Sequence, residues 1–327
     1  MRRLPAVACA LVLGLCGWAY PLSREMAPVQ PFGPMRMAVT VDDLPAHGEL
    51  LPGVSRNDIA RGVLRALKNN GIRQVYAFAN GTDIADEPEL IEVPRLWLKA
   101  GYPLGNHTFS HWNINAVGAA EYIGDIDRMD ALLRTLLPVS PEVERRRVFR
   151  YPFLEEGATQ ERRDAIRTHL FESQYKIAQV TIDYNDWAWN DAYTRCVVQH
   201  DQPSIAWLKA HIMAEAERSV RASSSLAKLL FGHDIAHILL IHVGAFDALM
   251  LDSILKDFRA RGVTFVTLDE ALTDPVYQID PGYLYEGGRG FLEQIVEARH
   301  VDTAGQPEPT MYAVAQLEKV CKAPTGN

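Results

Sequence analysis

Cysteine is scarce in this chain, with four in 327 residues and no CxxC pair. That excludes a thiolate metal cluster and a fold that depends on disulfide staples. Clustered positive charge is missing as well. The net charge is −8, and the only basic cluster, Arg145-Arg146-Arg147, reads as a solvated turn before a strand. Phosphate binding needs grouped Lys and Arg, so nucleic acid is excluded as a partner. A bilayer-spanning run is also lacking: the apolar stretch at 6–18 (AVACALVLGLCGW) has roughly a dozen residues where about 20 are needed. There is no G-x-S-x-G elbow for a serine nucleophile, no internal repeat and no low-complexity segment.

What is present is ordinary globular composition, 48% hydrophobic and 23% charged, far from the signature of disorder. Met1-Arg2-Arg3 followed by the 6–18 run has the form of a secretory signal. We assign residues 1–27 to that signal and the Pro-rich 28–36 to a linker, with an exported location, periplasmic or secreted. LGLC at 13–16 hints at a lipid-attachment cysteine, but Leu15 is bulky for such a site. With Cys9 and Cys16 in the signal, Cys196 and Cys321 remain in the mature chain. In an oxidising compartment they could pair and tie the C-terminal tail to the body; two buried free thiols fit the sequence equally well.

From residue 37 short apolar runs alternate with longer amphipathic ones. Strands are expected at 37–41, 75–79, 148–150, 177–182, 238–243 and 263–268, with a further short one before His107. Helices are expected at 59–67, 89–99, 121–137, 161–171, 205–222, 247–261 and 291–299. Strands alternating with helices at this spacing argue for a mostly parallel sheet covered by helices. Residues 275–327 form a terminal extension with one helix.

Polar residues collect at the C-terminal ends of these strands, where parallel α/β barrels build active sites. Asp42 and Asp43 follow the first strand and His107 and His111 the third. Arg150 ends the next, Asp183 and Asp186 the one after, and His242 the sixth. H-x-x-x-H places two imidazoles on one side of a helical turn. Two histidines and a carboxylate leave an open position on a divalent ion, as hydrolysis requires. Taken alone, such a histidine pair is more often surface or packing, and paired acids at a strand end are more often turn or cap residues.

The set is more specific than its parts. VTVDD at 39–43, HTFSH at 107–111, RYPF at 150–153, DYNDW at 183–187 and LIH at 240–242 occur in this order, and FVTLDEAL at 265–272 closes the series. On these motifs the chain resembles the polysaccharide deacetylase family, the NodB-homology or carbohydrate esterase family 4 proteins, over about 38–272. The resemblance implies a distorted (β/α) barrel of about seven parallel strands over 37–274 with the short extension behind it.

The resemblance also implies roles. Asp43, His107 and His111 would hold one divalent ion, Zn²⁺ first, with Co²⁺, Ni²⁺ or Mn²⁺ as alternatives. Asp42 would be the general base, Arg150 its ion-pair partner, His242 the general acid and Asp186 the group that keeps His242 charged. The backbone N–H of Phe153 would help stabilise an oxyanion, and Trp187 and Leu240 would wall the acyl pocket. Tyr151, Trp112, Trp187 and Trp189 could stack on sugar rings or could be core or lid residues. The implied reaction is removal of N-acetyl groups from a glycan, oligosaccharide or peptidoglycan fragment. A non-sugar amide or cyclic imide, or an O-acetyl ester, are alternative substrates on the same scaffold. A catalytically silent glycan-binding protein is disfavoured because no ligand, base or acid is missing. One departure stands beside the metal aspartate: the family usually has glycine after the paired acids, whereas this chain reads Leu44-Pro45-Ala46-His47-Gly48. His47 could reach the site.

Overall fold

The first strand decides the layout. β1 (Met35–Leu44) buries Met37, Ala38, Val39, Thr40 and Val41 on both faces. A strand covered on both sides belongs in the middle of a parallel sheet sheathed by helices. The computed structural model describes residues 30–137 and 147–322, and the described residues from Pro31 onward fall in one compact unit. The signal expected at 1–27 lies outside the described residues, as do Arg145 and Arg146.

The remaining strands are β2 (Tyr76–Ala79), β3 (Leu104–Asn106), β4 (Val148–Phe149), β5 (Lys176–Ile177), β6 (Ala236–His242) and β7 (Val263–Phe265). They form a seven-stranded sheet in the order β5-β4-β3-β2-β1-β6, with β7 also paired to β1. Every described pairing is parallel. β7 pairs with the first residues of β1, from Met35↔Val263 to Met37↔Phe265.

The sheet curls until its two edges meet. Beyond β5 the chain bridges from Ile182 to Leu239 of β6. The Thr181 and Ile182 N–H groups donate to the Ile238 carbonyl at 3.0 and 3.1 Å, and Leu240 N–H donates to Ile182 O at 3.0 Å. This is the distorted barrel the resemblance implied. The apolar run at 177–182 is therefore not one strand. Its start pairs with β4 and its end with β6.

The helices are α1 (Arg56–Asn69), α2 (Thr82–Asp86), α3 (Glu92–Lys99), α4 (Ala119–Leu136), α5 (Gln160–Glu172), α6 (Asp186–Val198), α7 (Gln202–Phe231), α8 (Ala245–Ala260), α9 (Leu268–Ala271), α10 (Phe291–Arg299) and α11 (Val314–Leu317). The helix expected at 205–222 is longer, and α6 precedes it. No apolar stripe announces α6, because its buried side mixes Asp186, Asn190 and Thr194 with Ala188, Trp189, Ala192 and Cys196. α10 has the bounds its spacing predicts.

The 275–322 segment is packed onto the barrel. Phe291, Leu292 and Ile295 share a core cluster with Ala227 and Ile235. Glu215 of α7 accepts the Met311 N–H at 2.9 Å. Tyr312 packs edge-on against Trp189 and Trp207, at 5.6 and 5.2 Å between centroids. Cys196 and Cys321 are bonded to each other, which settles the alternative the sequence left open. None of the described helices is long and apolar enough to cross a membrane.

Candidate active site

Consecutive residues of a strand face opposite ways, so Asp42 and Asp43 cannot share a cavity on a regular β1. The strand is not regular there. Val41 pairs with Ala77 and Leu44 with Ala79, so two residues of β1 stand opposite one of β2. Asp43 takes φ of 64°, in the left-handed region. Such a bulge re-aims side chains next to active sites. Here it turns both carboxylates toward His107: Nε2 lies 3.7 Å from Asp42 Oδ2 and 3.4 Å from Asp43 Oδ1.

The histidines are aimed by a loop. Thr108 and His111 have φ of 61° and 50°, and 107–113 contains no helical turn. The helical geometry expected for H-x-x-x-H is therefore corrected. The two rings converge because the backbone between them doubles back, not because of a 3.6-residue period. Polar side chains hold that loop. Thr108 N–H donates to Asn106 Oδ1 at 2.9 Å, and Asn80 Nδ2 donates to the carbonyls of His107 and Thr108 at 2.7 and 3.1 Å. Ser110 donates from N and Oγ to the two oxygens of Asp125, at 2.7 and 2.8 Å. His107 Nδ1 donates to the Arg150 carbonyl at 2.8 Å, which leaves Nε2 as the free ligand atom.

His111 Nε2 is 3.3 Å from Asp43 Oδ1. That oxygen is buried and accepts no hydrogen bond, although it sits between two imidazole nitrogens. Asp43, His107 and His111 could together hold an ion. Tetrahedral bonds of about 2.0–2.2 Å space their donors about 3.3–3.5 Å apart. The two observed separations fit, so this donor set suits a small divalent cation. Burial works to raise the Asp43 carboxyl, yet its contacts with His107, His111 and His47 hold it well below the usual carboxylate range.

Asp42 and His242 pair across β1 and β6, which brings acid and base candidates to adjacent strand ends. Arg150, 1% exposed, gives Nη1 to both Asp42 oxygens at 3.2 and 3.1 Å, Nη2 to Thr40 Oγ1 at 3.0 Å and Nε to the Ala178 carbonyl at 2.6 Å. His242 Nδ1 lies 2.9 Å from Asp186 Oδ1. Burial alone would depress the His242 imidazole, but Asp186 beside it overrides that and holds it well above its ordinary value.

Over residues 30–171 the chain matches the polysaccharide deacetylase family. The match covers less than half of the chain. It ends within α5, so Asp186, Trp187, Leu240 and His242 lie beyond it. Solved structures similar to the chain include the chitin deacetylase of Colletotrichum lindemuthianum, at 20% identity over 75% of this chain and 89% of that one, with a TM-score of 0.49. The family 4 carbohydrate esterase of Streptomyces lividans in complex with acetate shares 18% identity over 72% and 95%, at 0.44. The peptidoglycan deacetylase PdaC of Bacillus subtilis shares 18% over 74% and 93%, also at 0.44. No curated protein matches the chain in sequence.

The cluster of Asp42, Asp43, His107, His111 and His242 opens into a cavity of about 780 Å³. Phe153, Trp187 and Leu240 line it, and the Phe153 ring, 52% exposed, stands edge-on to His111 at 4.4 Å. Tyr151 does not line it, and its substrate-binding assignment is corrected. Its side chain is buried in a satellite core with Ile114, Tyr122 and Phe149, because the residue after Arg150 points to the opposite face. Trp189 is likewise fully buried. The far wall comes from the terminal segment, with Arg289, Glu293, Glu297 and 306–310, and from Ser219 and Ser223 of α7.

Sequence reasoning missed several contributors. Asp125, on α4, has no motif signal, and Asn80 has only its place after β2. Asp247, at the start of α8, is wholly buried. Burial and the Asp186 charge push its carboxyl well up. Asp183, which follows the 177–182 run, accepts the Asn185 N–H at 2.7 Å. Burial and the Asp186 charge raise it to about 6.

Proposed function

We propose that the protein is an exported, metal-dependent deacetylase that removes N-acetyl groups from an acetylated glycan or glycan fragment. The observation that carries this reading is the unpartnered Asp43 Oδ1 between His107 and His111, with the Arg150-held Asp42 on one flank and the Asp186-held His242 on the other. A divalent ion bound by Asp43, His107 and His111 would polarise the scissile carbonyl and acidify water. Asp42 accepts the proton of the attacking water, and its pairing with Arg150 keeps it oriented. His242, protonated through Asp186, delivers a proton to the leaving nitrogen. Amide cleavage needs both transfers, and one base and one acid on opposite flanks supply them. The Phe153 N–H serves as an oxyanion donor, and Trp187 and Leu240 bound the acyl group.

A disulfide suits an oxidising compartment, which supports reading 1–27 as a secretory signal ahead of a 28–36 linker, a catalytic unit over 37–274 and a tail over 275–327. Zn²⁺ is the ion that best suits one carboxylate and two imidazoles. The test is acetate release from N-acetylglucosamine oligomers and a peptidoglycan digest, with wild type and Asp42→Asn, each with and without chelator. Chelator-sensitive release by wild type, with Asp42→Asn retaining one ion per chain but losing about 10²–10⁴-fold in rate, is the expected result. Near-normal turnover by Asp42→Asn would remove Asp42 as the base. Release from an O-acetylated glycan but not from N-acetyl substrates would make the enzyme an esterase.

A further inference from the structure

The loop 44–48 replaces the glycine that the family carries after its paired acids, and it brings a third histidine to the centre. His47 is held from below. Arg56 donates from Nη1 to the His47 carbonyl at 2.8 Å and from Nη2 to the Gly48 carbonyl at 2.7 Å. Gly48 has φ of 63°, and a Cβ there would come 2.4 Å from Asn190 Nδ2, so only glycine lets the loop lie this close to α6. The His47 ring faces the His242 ring at 4.6 Å between centroids.

The two oxygens of Asp43 meet different neighbours. Oδ1 stands 3.4 and 3.3 Å from His107 and His111, as donors around one ion would. Oδ2 is 2.8 Å from His47 Nδ1 and 4.0 Å from His242 Nε2. Asp43, His47 and His242 cluster closely enough to be considered as a second ion site, but these distances argue against it. At 2.8 Å the His47 contact is a hydrogen bond, tighter than the donor spacing around a cation. A carboxylate oxygen only accepts, so His47 Nδ1 carries the proton.

We propose that His47 is a positioning residue for the metal ligand Asp43: its Nδ1–H fixes Oδ2 and thereby turns Oδ1 toward His107 and His111. The inference rests on reading those three residues as the ligands of one ion. Ligating carboxylates are typically held by such outer hydrogen bonds, and losing one weakens metal binding about 10–100-fold.

The test uses the full oxidised chain, stripped of metal. Zn²⁺ affinity is measured by competition with a chromophoric chelator, Co²⁺ coordination by its visible absorption spectrum, and folding by far-UV circular dichroism. The variants are His47→Ala and His47→Asn, since the asparagine amide nitrogen can stand where Nδ1 does. Expected are one ion per wild-type chain, Zn²⁺ binding about 10–100-fold weaker in folded His47→Ala with an altered Co²⁺ spectrum, and recovery to within a few-fold in His47→Asn. Unchanged affinity in His47→Ala overturns the inference and leaves the metal site standing. Equal weakness in both variants also overturns it, by tracing the loss to the missing ring. Two ions in wild type and one in His47→Ala would make His47 a ligand instead. No ion in wild type would sink the metal reading itself.

Discussion

Asp186 grips His242 twice: Oδ1 meets the imidazole Nδ1 at 2.9 Å, and Oδ2 accepts the backbone N–H of the same residue at 2.6 Å. The carboxylate is fully buried and is the first residue of α6, where a helix N-terminus favours negative charge. It therefore fixes both the position and the charge of the ring.

This pair sets the pH dependence. His242 is raised above its ordinary value of 6.5, so the stability it contributes is complete below 6.5 and is lost as pH rises through its folded-state pKa. Asp186 is lowered below 3.8 by its contacts with His242, against the opposing pull of burial. Its contribution is present above 3.8 and is lost as pH falls through its own folded value. Activity that needs protonated His242 should persist to alkaline pH. Asp186→Asn should move the alkaline limb of kcat/KM to lower pH, and an unmoved limb would separate Asp186 from the proton donor.

Arg150 should matter for folding as much as for catalysis. Arg150→Ala leaves the Asp42 carboxylate buried without its counter-charge, which costs about 3–5 kcal/mol. Adding Asp42→Asn to that variant removes the stranded charge and should restore part of the loss. Urea unfolding of the two single variants and the double variant measures the coupling. Strict additivity would mean that the two residues do not support each other.

Asp125 should be felt at the proposed metal centre although it touches none of the proposed ligands. Its two bonds to Ser110 hold the loop between His107 and His111, so Asp125→Ala should weaken Zn²⁺ binding by about tenfold or more. Titration of the stripped protein tests this. A change in melting temperature with unchanged affinity would confine Asp125 to fold stability.

The disulfide closes a separation of 125 residues. Replacing Cys196 and Cys321 together by serine should lower stability by about 2–5 kcal/mol, read by denaturant unfolding. Arg195 would still donate to the carbonyls of Leu317 and Val320, at 2.8 and 3.1 Å, so the tail should stay docked at low temperature. Activity on short oligomers at 25 °C is expected to change less than the midpoint of unfolding.

The strand ends were legible because parallel strands collect their polar residues at one rim, and β1, β3, β4 and β6 deliver Asp42, His107, Arg150 and His242 there. The geometry of the loops was not. Left-handed φ at Asp43, Thr108, His111 and Phe153 carries no signature in residues other than glycine, so the four-residue spacing of His107 and His111 reads as a helical turn where the backbone in fact doubles back. Tyr151 was misplaced for a related reason: it adjoins Arg150 in a functional motif, but alternation along the backbone sends it into the core. Asp125 and Asp247 act from helices distant in sequence, where an isolated acid looks like any solvated one. The cavity wall was hidden because 275–322 shows one periodic helix and otherwise irregular chain, whose docking depends on partners such as Glu215 and Cys196.

The tail of the chain has a further consequence for redesign. The floor of the cavity, where bonds would break, is built by residues up to His242, while much of the far wall is supplied by 288–310. Chemistry and fit thus sit on separate stretches of sequence. A library confined to the wall could redraw which ligands fit without disturbing one of the proposed metal ligands, and the covalent clasp at Cys321 would keep each redrawn wall in register with the unchanged floor.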